Sequence, residues 1–172
     1  MIVRIGGGRE ELADLVDLLL DCHARIRSFA ALARIAGERA DATHAEVVDA
    51  CERVERYFGI ALPLHVADEE ESILPRLRGV SPEVDRALAD MHAQHAAHQA
   101  GLHAMLSASA AVRQDPGDAA KRATLVAAAA PLEREFAEHL ALEETVLFPA
   151  IRREWSADVQ AEVVRELRAR RA

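Results

Sequence analysis

Aromatic residues are nearly missing: Phe, Tyr and Trp make up 3% of the 172 residues, with one Trp and one Tyr among them. A chain that is 51% hydrophobic, rich in Ala and Leu and this poor in rings is composed for packed helices, which excludes an all-β sandwich or barrel. Cysteine is scarce too, and Cys22 and Cys51 are too few for a disulfide framework. Positive charge is short: 21 Lys and Arg stand against 29 Asp and Glu, a formal net charge of −8. That field repels a phosphate backbone, so no nucleic-acid partner is expected. Long apolar runs are absent as well. The longest charge-free stretch, from Met91 to Val112, carries four histidines and two glutamines, which the interior of a bilayer rejects, so no membrane partner is expected. The opening MIVRIGGG has neither an apolar leader core nor a small-residue cleavage site, and the chain is expected to be cytoplasmic.

What the sequence does hold is histidine, eight in all. The length suits one domain over residues 1–172, with its helical core at about 10–151. After Gly6-Gly7-Gly8, a first helix is expected from about Arg9 to Ala36, its apolar stripe of Leu12, Val16, Leu19, Ile26, Ala30 and Ala33 interrupted by His23. Thr43 can cap a second helix that bends around Gly59 to Pro63 and continues to about Arg78, its stripe ending in Leu62, His65 and Glu69. Ser81-Pro82 starts a third, with Val84, Leu88, Met91, His95, His98, Leu102 and Met105 on one face. Asp118 caps a fourth, with a kink expected at Pro131 and an end near Phe148; its stripe holds Leu132, Phe136, His139, Glu143 and Val146. A short fifth helix follows from Ser156. Long helices joined by short turns predict an all-α, antiparallel up-down-up-down four-helix bundle with a short C-terminal fifth helix. At 1.5 Å per residue, His23, His65, His95 and His139 all reach roughly the same height, about 20 Å from one end.

The second and fourth helices repeat a segment, HVADEEESILP at His65 to Pro75 and HLALEETVLFP at His139 to Pro149. Residues four apart share a helix face, so His65 with Glu69, and His139 with Glu143, reach the interior together, while Glu70 and Glu144 point about 100° away. Two carboxylates in an apolar core need compensation, since even one buried ion costs several kcal/mol. No Lys or Arg sits on the stripes at that height. A bound metal compensates most economically, and mixed imidazole and carboxylate ligation suits iron, manganese or zinc. Two carboxylates able to bridge, with histidines divided between two ions, point to a dinuclear centre.

His23, the pair His65 and Glu69, then His95, and the pair His139 and Glu143 resemble the H, HxxxE, H, HxxxE pattern of hemerythrin-like, or HHE cation-binding, domains, over roughly Glu10 to Ile151. The resemblance implies a four-helix bundle holding two iron ions in an oxo- or hydroxo-bridged centre. Glu69 and Glu143 would be the bridges, and His23, His65, His95 and His139 the terminal ligands. Oxygen-carrying hemerythrins have two histidines four apart on the third helix, whereas the residue four before His95 is Met91. The implied site is therefore one histidine short, with an open position or a different donor.

The implied activity is binding or reduction of a small oxidant, a diatomic or a peroxide, as a peroxide- or nitric-oxide-consuming oxidoreductase. An oxygen carrier, store or sensor is the alternative, followed by an iron donor for cluster repair, whose known relatives carry a separate cysteine-bearing domain. Ferritin-like enzymes need Glu followed three residues later by His, a spacing this sequence lacks. A monomer or homodimer is expected, with an unidentified redox partner. Of the remaining residues, His98 lies on the stripe a turn beyond His95, His92 and His103 lie a step off it, and His44 sits at a helix start. Glu70, Glu71 and Glu144 read as a solvated acidic face, and Tyr57 as a packing residue. Cys22 and Cys51 lie too far apart to pair, and the terminal arginines answer the negative end of the fifth helix.

Overall fold

The structure, a computed structural model, describes residues 14–172, and all regular secondary structure among them is helical. Helix α1 is Leu15–Glu38; α2 runs over residues 44–77, α3 is Pro82–Gln114, α4 runs over residues 119–154 and α5 is Ala157–Ala169. All five starts are fixed by side chains that accept orphan backbone N–H groups, Ser156 at α5 accepting from Val159. Asp14 and Thr43 form capping boxes with Asp17 and Glu46, Ser81 accepts from Val84, and Asp118 accepts from Ala120 and Lys121. Helix α1 begins at Leu15, later than the expected Arg9, because Asp14 takes the capping role; Gly6 to Gly8 and the boundary near Glu10 lie outside the described residues.

Each long helix packs on two others: α1 on α2 and α4, and α3 on α2 and α4. The core is divided into two apolar clusters. One contains Ile26, Ala30, Val54, Phe58, Met105, Leu132 and Phe136, and the other Leu15, Leu19, Ile73, Leu77, Leu88, Met91, Leu147 and Ile151. Along α1 and α3 the chain passes from the second cluster to the first; along α2 and α4 it passes from the first to the second. That alternation is the antiparallel bundle the periodicity predicted. Between the clusters lies one polar layer, formed by the buried His23, His65, Glu69, His95, His139 and Glu143.

Helices α2 and α4 are not α-helical throughout. Tyr57–Ala61, Asp68–Ile73 and Glu143–Leu147 are π turns, in which Leu62, Leu74 and Phe148 donate their N–H groups five residues back, to the carbonyls of Tyr57, Glu69 and Glu143. Each of those donors directly precedes a proline, namely Pro63, Pro75 or Pro149. A proline inside a helix lacks an N–H and crowds the carbonyl four residues back, and widening that turn by one residue relieves both problems. The bend expected around Gly59 to Pro63 is thus a π turn. Pro131 produces no kink of this kind, since the α-helix Ala119–Leu142 runs through it, and α4 continues past the expected end at Phe148 to Glu154.

The turn from α2 to α3 uses Gly79 at φ 84°, a left-handed conformation open to glycine, and its N–H donates to Asp85 at 2.7 Å. Helix α5 folds back over the second cluster through Val163 and Leu167. Among the described residues no helix is long and apolar enough to cross a membrane.

Candidate metal centre

The polar layer brings the six residues into two overlapping groups. His23, His65, Glu69 and Glu143 form one, and Glu69, His95, His139 and Glu143 the other, with the donor atoms of each group within 4.8 Å of one another. Each glutamate divides its oxygens between the groups. Glu69 places Oε1 2.9 Å from Nε2 of His65 and Oε2 3.2 Å from Nε2 of His95. Glu143 places Oε1 2.9 Å from Nε2 of His139 and Oε2 2.9 Å from Nε2 of His23. Each group therefore offers two imidazole nitrogens and two carboxylate oxygens, one from each glutamate.

These short distances are not hydrogen bonds. The Nε2 atoms of His23, His65 and His95 and both oxygens of Glu69 and of Glu143 are buried without a hydrogen-bond partner among the described residues. Buried polar atoms left in that condition are rare and costly. Two donors side by side on one ion, each about 2.1 Å from it, lie about 3 Å apart, the spacing found here. The donor set fits a pair of cations sharing two carboxylates.

The outward nitrogens of three imidazoles are held. Nδ1 of His23 lies 2.8 Å from Glu144 Oε1, Nδ1 of His95 2.8 Å from Glu70 Oε1, and Nδ1 of His139 2.8 Å from Gln94 Oε1. A carboxylate or amide oxygen only accepts, so Nδ1 carries the proton and Nε2 presents its lone pair to the centre. Glu70 and Glu144 are half-buried, and the reading of both as a solvated acidic face is corrected by this contact. The signal lay in the consecutive pairs Glu69-Glu70 and Glu143-Glu144, and the π turns allow both members of a pair to reach one ring. Glu71 is exposed and takes Arg170 as its partner.

Electrostatics without a cation are strained between opposing effects. Burial works against a charged His65, but the adjacent Glu69 carboxylate outweighs it and holds the imidazole well above its ordinary value. Burial likewise works against ionised Glu69, and His65 and His95 hold it well below the carboxylate range.

The other sequence candidates lie outside the two groups. His98 is buried, its ring 5.0 Å from Phe136 and 5.2 Å from His139, and burial pushes its pKa down to about 4. His92 is exposed with Nδ1 on Glu70, and His44 and His103 are exposed. Tyr57 stacks on Phe29 at 4.1 Å, with burial raising its phenol to about 12. Met91 is fully buried in the second apolar cluster, and both cysteines are free. The terminal arginines do more than complement α5: Arg170 and Arg171 bind the buried carboxylate of Asp68, next to Glu69.

A cavity of about 390 Å³ reaches the centre between α2 and α3, with His65, His95, His98 and His139 at its floor and the exposed Pro63, Gln99 and His103 at its rim.

A helical bundle with two buried His/Glu groups sharing their carboxylates defines a cation-binding class of protein. The family model "Hemerythrin HHE cation binding domain" matches residues 14–151, with an overlapping match at 86–171, and the chain belongs to this family. An uncharacterized protein of Haemophilus influenzae is 28% identical over 163 residues, which span 91% of this chain and 89% of that protein.

Proposed function

We propose that the protein is a non-haem di-iron protein that binds and reduces a small oxidant, namely dioxygen, peroxide or nitric oxide. The observation that carries this reading is the division of Glu69 and Glu143 between the two groups. His23 and His65 would hold one iron and His95 and His139 the other, with Glu69 and Glu143 bridging. Each group offers four protein donors, and imidazole with carboxylate would suit iron. When bound, iron supplies electron exchange and a coordination position for the oxidant.

The chain's own residues set the conditions. Glu144, Glu70 and Gln94 hold the protons of His23, His95 and His139 at Nδ1, which keeps the inward nitrogens basic. The two apolar clusters exclude water from either end of the polar layer. The cavity between α2 and α3 gives a small molecule a route to it. Turnover is favoured over reversible storage because buried Met91 stands where oxygen carriers place a histidine.

The test is elemental analysis of protein from iron-replete cells, followed by optical spectra of the reduced protein under oxygen, peroxide and nitric oxide. About two irons per chain are expected, from two bridging carboxylates and four imidazoles. Zinc alone, or a metal content near zero, would overturn the proposal.

A further inference from the structure

The cavity beside the centre is far larger than the oxidant needs. Dioxygen or hydrogen peroxide fills the space of about one or two waters, at about 30 Å³ each, and the cavity has about 390 Å³. Its walls are apolar: the buried Ile26, Phe58 and Leu62 and the half-buried Val66, Leu102 and Leu106. Among the described residues no Lys, Arg, Asp or Glu lines it. A charged ligand would thus be desolvated with no wall residue to pair it. Polar side chains stand at its two ends, Gln99 and His103 exposed at the rim and the histidines buried at the floor. There the outward nitrogens of His95 and His139 are taken by Glu70 and Gln94, the outward nitrogen of His65 is itself buried, and His98, its ring against those of Phe136 and His139, is the floor imidazole outside the two ligand groups. An apolar chamber with an imidazole outside the ligand groups at its inner end matches an elongated apolar molecule with one neutral hydrogen-bonding head.

We propose that this cavity is a binding site for a medium-chain alkyl molecule with a neutral hydroxyl or hydroperoxyl head, the chain lying between α2 and α3 and the head on His98. The proposal deepens the di-iron reading, in that it places the head beside the centre. Its binding energy, however, comes from the walls and from His98, none of which is a proposed ligand. His98 acts here as a specificity residue: its imidazole donates to or accepts from the head and selects hydroxyl over hydrocarbon.

The experiment uses the purified full chain, with iron measured on the same sample, and titrates 1-butanol, 1-hexanol, 1-octanol and 1-dodecanol by calorimetry. Affinity is expected to rise about three- to fourfold per methylene. The gain should stop once the chamber, room for about a dozen water-sized groups, is filled. Leu102→Trp and, separately, Val66→Trp should abolish the chain-length gain while the circular dichroism spectrum is unchanged. Two variants on opposite walls guard against one that fails to fold. His98→Phe should keep the chain-length slope and weaken 1-octanol about fivefold, the loss of one hydrogen bond. Absence of a slope, or the same slope in both Trp variants, overturns the site, and 1-octanol affinity unchanged in His98→Phe overturns the head assignment. A slope in protein without iron leaves this site standing and removes the di-iron reading; iron without a slope does the reverse.

Discussion

Glu144 accepts the Nδ1 proton of His23 at 2.8 Å, while the preceding residue, Glu143, faces Nε2 of the same ring at 2.9 Å. Glu70 and Glu69 treat His95 in the same way. Adjacent glutamates on one helix thus address opposite nitrogens of one imidazole on the next helix, once in each half of the bundle.

The two members of each pair should be separable by mutation. Glu69→Ala or Glu143→Ala removes an oxygen from both groups and should leave metal content near zero. Glu70→Ala or Glu144→Ala leaves the donors in place but frees a ring, and metal affinity should fall about 10- to 100-fold. Competition with a chromophoric chelator measures both. Equal losses at all four positions would contradict the assignment of inward and outward roles.

The C-terminal helix should be coupled to the polar layer through Asp68. That carboxylate is 1% exposed and receives Arg170 and Arg171, and Arg170 also donates to Ser72 at 2.7 Å. Removing both arginines leaves a buried charge unpaired. The double variant Arg170→Ala, Arg171→Ala should lose about 3 kcal/mol of unfolding free energy, somewhat less if water reaches the carboxylate. Adding Asp68→Asn should restore part of the loss, because the charge that needed a partner is gone. Urea denaturation of the three proteins decides it, and no recovery in the triple variant would show that the arginines stabilise by packing alone.

Much of this was legible in the sequence because helical period and metal-ligand spacing are local. The stripes interrupted by His23 and His95 and the repeated HxxxE segments place the polar layer, and the caps Thr43, Ser81 and Asp118 place three helix starts. The outward roles of Glu70 and Glu144 are not legible, because a regular helix turns the next residue by about 100°, whereas these pairs lie in the π turns before Pro75 and Pro149, which the sequence period does not show. Asp68 carries no sequence signal for a different reason. Its partners lie about 100 residues further along the chain, beyond any periodic signal. Pro131 shows the converse, a local signal that the packed helix absorbs.

Loaded and metal-free protein should respond oppositely to pH. In metal-free protein the raised value of His65 contributes stability that is full below the ordinary imidazole value of 6.5 and is lost as pH rises through the raised value. The lowered value of Glu69 contributes stability that is present above 4.5 and lost as pH falls through the lowered one. Metal-free protein should therefore be most stable in mildly acidic solution. Metal competes with the proton on Nε2, so loading grows more favourable with rising pH. The gap in Tm between loaded and metal-free protein should widen between about pH 6 and pH 9. Calorimetric scans of both forms give the answer, and a constant gap would mean that no imidazole proton is displaced on loading.

Met91 offers the sharpest test of turnover against storage. It precedes His95 by one helical turn and is fully buried in the second apolar cluster. A thioether is a weak ligand for oxidised iron, so the ion held by His95 and His139 would keep a position for exogenous ligands. Met91→His puts an imidazole in that place. If it reaches the ion, azide affinity should drop, oxidation of the reduced protein by air should slow, and Tm of the loaded protein should be kept. In metal-free protein the same imidazole has no partner, and a buried unpaired polar group should lower stability by about 1–3 kcal/mol. The combination is diagnostic: a loss confined to the metal-free form, together with weaker azide binding, assigns Met91 to the open side of the centre. Equal destabilisation of both forms with unchanged azide binding would remove Met91 from the site and leave the distinction between turnover and storage to another residue.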